Sequence, residues 1–98
     1  MKAFNRLTMA EAERLALLLE ELGEAQQAIG KILRHGYEST HPNGGPTNRT
    51  SLCREMGDVA AALNMMIEHG DVDNTDISRF RSYKAHNVKQ YLHHQDKP

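Results

Sequence analysis

The sequence predicts an all-α fold, a long helix followed by two shorter ones, and three observations predict it. Apolar residues recur every three to four positions over three separate stretches. Threonine, aspartate and glycine stand where such helices would start and stop. No stretch reads as a β-strand, and no segment repeats.

Thr8 opens the first helix, with Glu11 three residues on to complete a capping box. Leu15, Leu18, Leu19, Leu22, Ala25, Ile29, Ile32 and Leu33 then hold a helical period until Gly36, a natural stop. A helix over about 8–35 is ~40 Å long. Gly23 and Gly30 lie inside it on one side. They either admit a neighbouring helix at close range or are tolerated at a cost to helix stability.

Pro, Gly, Asn and Ser/Thr dominate residues 36–50 without periodicity, so this stretch reads as a loop. Long loops in small domains are often functional. This one serves equally as a lid or pocket wall or as a plain connector. The second helix is expected from Ser51 to His69, with Leu52, Met56, Val59, Leu63, Met66 and Ile67 on its apolar face and Gly70 at its end. A linker from Asp71 to Thr75 leads to a third helix that begins near Asp76 and carries Ile77, Phe80, Tyr83 or Lys84, Val88, Tyr91 and Leu92 at helical spacing. The tail from His93 to Pro98 reads as frayed.

The 98 residues make one domain over 1–98, with its core over about 8–92. Three helices, one of them very long, do not close a compact bundle alone. Burial is also inefficient at this size. The expectation is a four-helix-bundle core formed by homo-oligomerisation, as a homodimer or homotetramer.

Composition narrows the function classes. A formal net charge of −1 and 5% aromatic residues give neither the basic surface nor the stacking platform of a nucleic-acid-binding protein. The single cysteine, Cys53, excludes an intrachain disulfide and fits a reducing compartment. No apolar run approaches the ~20 residues of a membrane span. Met1 to Arg6 lack the apolar region of a signal peptide. A cytoplasmic location, with no membrane and no nucleic acid as partner, is the expectation.

The chemistry lies in two acidic clusters, Glu20-Glu21-Leu22-Gly23-Glu24 and Glu55-Met56-Gly57-Asp58. In each, two carboxylates three residues apart project from nearly one helix face, where like charges repel. Glu21 and Glu24 continue lines that lead to Ala28 and Ile32. Glu55 shares a line with Val59, Ala62 and Met66. The acids therefore lie at the edge of the faces due for burial, where carboxylates need a partner. A hard divalent cation such as Mg²⁺ is the natural one, because it takes carboxylate oxygens and often bridges to substrate phosphates. The bland alternative is ordinary surface glutamate.

These residues resemble the MazG-like all-α nucleoside triphosphate pyrophosphohydrolase superfamily. Its motif is E-E-x-x-E on one helix and E-x-x-D on the next, and both are complete here. The stretch Ala25-Gln26-Gln27-Ala28-Ile29-Gly30-Lys31-Ile32-Leu33-Arg34-His35-Gly36 is similar to a branch common in phages and bacteria. Lys84-Ala85-His86-Asn87-Val88-Lys89-Gln90-Tyr91 is similar to the family's basic C-terminal helix. The longer gap between Glu24 and Glu55 departs from the compact members and bears on base preference.

The resemblance implies hydrolysis of a nucleoside or deoxynucleoside triphosphate to the monophosphate and pyrophosphate, with dGTP and GTP among the candidates. The role the resemblance implies is nucleotide-pool control or modified-nucleotide metabolism. Expected metal ligands are Glu21, Glu24, Glu55 and Asp58, for Mg²⁺ with Mn²⁺ as a substitute. Glu20 and Glu21 are the candidate catalytic residues, and which acts as base is open. Lys31, Arg34, Lys84 and Lys89 are candidates for the phosphates, each with a solvated surface base as its plain alternative. Asn64 is the candidate for a base or ribose contact, or else a polar residue at a helix interface. His93 and His94 read as tail rather than metal site, and Cys53 has no visible partner for nucleophilic chemistry. A reading from another class is a non-catalytic helical dimerisation or regulatory module that retains the acids as structure.

Overall fold

The computed structural model describes residues 4–95; the readings of Met1 to Ala3 and of the tail from Asp96 to Pro98 lie outside them. Three α-helices carry the fold: α1 (Met9–His35), α2 (Asn48–Glu68) and α3 (Asn74–Asn87). Short 3-10 turns precede α1 at Phe4–Arg6 and follow α3 at Val88–Tyr91. No β-strand occurs among the described residues, and none of their helices is long and apolar enough to cross a membrane.

Local chemistry explains each boundary. At the start of α1, Glu11 N–H donates to Thr8 Oγ1 at 3.0 Å and Thr8 N–H donates to Glu11 Oε1 at 2.7 Å, so the capping box is closed both ways. Gly36 ends the helix at φ +90°, and its N–H still reaches Ile32 O at 2.7 Å. The second helix starts three residues before the expected Ser51. Thr47 is its cap and accepts from Thr50 N–H at 3.2 Å, an interaction that overrides the loop character of the surrounding Pro, Asn and Thr. The third helix starts at Asn74 rather than Asp76, because Asp73 caps it by accepting from Asp76 N–H at 3.0 Å. It also ends earlier than its apolar spacing suggests, tightening into the 3-10 turn at Val88.

Helices α1 and α2 form an antiparallel hairpin. At one end Arg14 grips Asp71 through two hydrogen bonds, at 2.6 and 3.0 Å. That contact holds the Asp71 carboxyl below its usual range. At the other end Lys31 and Asn48 share the wall of one cavity. Between these ends the buried core is small: Ala25 and Ala28 from α1, Ala62 and Met66 from α2. α3 does not join that pair; it packs chiefly on the turn that follows it.

The apolar period of α1 splits into two faces. Ala25 and Ala28 are buried against α2, with Leu18 and Ile32 half-buried beside them. Leu15, Leu19, Leu22, Ile29 and Leu33 form a second stripe about 100° round the helix, and all five are exposed. The Cα radius of gyration is 17.1 Å, against about 13 Å for a compact domain of this length.

Candidate metal centre

The acids meet because the core between their helices is small. Glu21 precedes Ala25 by about one turn and Ala28 by two. Glu55 lies about two turns before Ala62 on the same face and three before Met66. Alanine at the contact lets two helices approach closely. The lines that bury Ala28 and Ala62 therefore bring the carboxylates of α1 against those of α2.

Glu21, Glu24, Glu55 and Asp58 each offer a carboxylate oxygen, and these atoms all lie within 4.8 Å of one another. Glu21 and Glu55 are half-buried, and Asp58 is exposed. One oxygen of Glu21 and one of Glu55 are buried without any hydrogen-bond donor. A buried, donor-less carboxylate oxygen is costly, and each such atom demands an explanation. Charge accumulates with it. The Glu21 carboxyl is pushed above its usual range, first by burial and then by the charges of Glu24, Asp58, Glu20 and Glu55. Glu24 is also raised, first by its hydrogen bond with Glu55, then by burial and by the charges of Glu55 and Asp58. The group attracts a proton for the same reason that it would attract a cation. Four oxygen donors with no nitrogen or sulfur among them suit a hard divalent ion such as Mg²⁺.

The other predicted residues divide into near and far. Lys31 lines a cavity of about 290 Å³ together with Glu24, Gln27, Ala28, Asn48, Ser51, Arg54 and Glu55. Arg34 lines the adjoining cavity, under the loop. Glu20 is exposed and stands outside the group of four. Asn64 is exposed and ~180° round α2 from Glu55, so within one chain it faces away from the acids. Lys84 and Lys89 are exposed on α3 and the turn after it, outside both cavities that adjoin the acids. Cys53 is exposed and free, and His93 and His94 are exposed beyond the last turn.

Arg54, Gln27, Asn48 and Ser51 join the site without having been singled out in the sequence. Ser51 and Asn48 sit one and two turns before Glu55, so helical spacing would have found them had α2 been started at Thr47. Arg54 precedes Glu55 directly and carries no motif of its own. Compared with protein-family models, with curated proteins and with solved structures, the chain finds no match.

Proposed function

We propose that this protein is a divalent-cation-dependent nucleoside triphosphate pyrophosphohydrolase acting in the cytoplasm. It takes a nucleoside or deoxynucleoside triphosphate, with dGTP and GTP among the candidates, to the monophosphate and pyrophosphate. One observation carries the proposal: four carboxylates converge from α1 and α2, and two of their oxygens are buried without a donor. The complete E-E-x-x-E and E-x-x-D pair supports it through its resemblance to the MazG-like enzymes.

Glu21, Glu24, Glu55 and Asp58 are the residues that would hold Mg²⁺, with Mn²⁺ as a substitute. When bound, the cation neutralises phosphate charge and polarises the phosphoryl group. The remaining work falls to the chain. Lys31 and Arg54, beside Glu24 and Glu55, offer positive charge to the phosphates. Glu20 and Glu21 are the candidates to take a proton from the attacking water.

Homo-oligomerisation belongs to the same proposal. The exposed leucine and isoleucine stripe of α1, together with the extended shape of one chain, supports a second copy completing a four-helix core. Lys84, Lys89 and Asn64 would then touch substrate only from that second copy.

A nucleotide panel tests the reaction. Purified protein with Mg²⁺ is given each common NTP and dNTP, and products are resolved by ion exchange. The expected result is monophosphate plus pyrophosphate from a subset, lost in Glu24→Gln and in Asp58→Asn. No turnover with Mg²⁺ or Mn²⁺ would favour the non-catalytic helical module instead.

A further inference from the structure

The loop between α1 and α2 is built, not slack. Asn48 N–H donates to Ser39 O at 2.9 Å, and Arg49 N–H donates to Tyr37 O at 2.8 Å. The Asn48 side-chain amide donates to Gly36 O at 3.1 Å. Arg49 pairs with Glu38 at 2.8 Å, and its guanidinium lies 4.3 Å from the centre of the Tyr37 ring. Further along, Gly44 N–H donates to His41 O at 2.8 Å, and Asn43 N–H donates to His41 Nδ1 at 3.1 Å. Gly44 and Gly45, at φ +92° and +113°, permit that turn.

These ties also settle what the start of α2 can do. The amides of Asn48 and Arg49 are spent on the loop, and those of Thr50 and Ser51 on Thr47. The helix start therefore offers no open row of donors to an anion. Recognition at this end falls to side chains.

Those side chains surround a cavity of about 420 Å³, within the range of small-molecule sites. It shares Lys31, Asn48 and Ser51 with the cavity that reaches Glu24 and Glu55. The two cavities form a sequence of chemistries. Carboxylates stand at one end, with Lys31 and Arg54 next to them. The loop end has no carboxylate in its wall. It has the flat groups of Arg34, His35 and His41, the rings of Pro42 and Pro46, and the hydroxyls of Ser39 and Thr40. Guanidinium and imidazole planes are what unpaired bases stack on, while hydroxyls and amides read base edges.

We propose that the loop cavity is the nucleoside subsite: it holds the base and sugar while the phosphates lie toward Lys31, Arg54 and the four acids. This rests on the pyrophosphohydrolase reading. It moves Arg34 from the phosphates to the base, and it makes the loop the determinant of which nucleotide is chosen.

The test is an amide NMR titration that needs no turnover. The probes are each common nucleoside monophosphate and, separately, inorganic pyrophosphate with Mg²⁺. Monophosphates are expected to shift Ser39, Thr40, His41 and Gly44, while pyrophosphate shifts residues near Lys31 and Arg54 and leaves the loop still. His41→Ala and Arg34→Met should each weaken the preferred monophosphate about fivefold to tenfold, the low end for loss of a stacking partner. Arg34→Met preserves the helix and tests the stacking plane even if His41→Ala loosens the turn. Loop amides that ignore every monophosphate, or that move as much with pyrophosphate, overturn the subsite. Turnover in the nucleotide panel alongside either result would leave the enzyme reading standing and remove this inference alone. If the panel shows no turnover, monophosphate shifts confined to the loop still uphold the subsite.

Discussion

The two faces of α1 share one helical period but differ in side-chain size and have opposite fates. The inner face presents alanine and glutamate to α2, where Ala62 and Met66 are only 3% and 4% exposed. The outer face presents larger residues to nothing among the described residues, and Leu19 and Leu33 are 73% and 81% exposed. The difference is instructive. Small residues are used where two helices must approach closely enough to press four carboxylates together. The larger hydrophobes, which would yield most from burial, lie on the exposed face, the one the proposed second copy would cover.

The largest expected effect lies on the inner face. Met66→Ala should destabilise the fold by about 2–5 kcal/mol in chemical denaturation, the range for deleting a buried large side chain. A cost near zero would mean that the α1–α2 seam is not the core. The outer face should respond differently. Leu19→Glu with Leu33→Glu is expected to reduce the mass measured by light scattering to that of one chain while helical content persists. An unchanged oligomer would put the seam elsewhere.

A smaller effect separates the two kinds of charged contact. Glu21 and Glu24 are raised in the folded protein, so between the ordinary glutamate range and their raised values the folded state holds more protons than the unfolded one. Stability from these groups therefore increases as pH falls through that window. Asp71 is lowered by Arg14, so its contribution is present above the ordinary aspartate range and disappears as pH falls through the lowered value. Without divalent cation, the melting temperature should rise as pH falls from the raised Glu21 and Glu24 range toward the ordinary glutamate range. Glu24→Gln should flatten that rise; an identical profile in the variant would contradict the assignment. The smallest effect concerns Gly57, where an added Cβ meets nothing within 4 Å. Gly57→Ala should stabilise a free α2 by up to about 1 kcal/mol, and a loss of stability would reveal a partner helix packed there.

Much of this comparison is legible in the sequence. The helical period, the Thr8–Glu11 box and the stop at Gly36 follow from local chemistry alone. The acids are found because their spacing and that of Ala28, Ala62 and Met66 place them on shared faces. Periodicity does not say which of two adjacent apolar faces a neighbouring helix will cover, so the split between Ala25 and Leu22 stays hidden. Thr47 is masked by the Pro, Gly and Asn around it, which conceals the roles of Asn48 and Ser51. The Arg14–Asp71 pair joins residues 57 positions apart, and no local rule connects them.

The most direct test of the central claim is isothermal titration of Mg²⁺ into the wild type and into a Glu21→Gln, Glu55→Gln double variant, which replaces both carboxylates that bury a donor-less oxygen. Saturable binding by the wild type, lost in a variant that stays folded and melts higher than the metal-free wild type, is the predicted result. No saturable binding by the wild type, or equal binding by the two proteins, would contradict it.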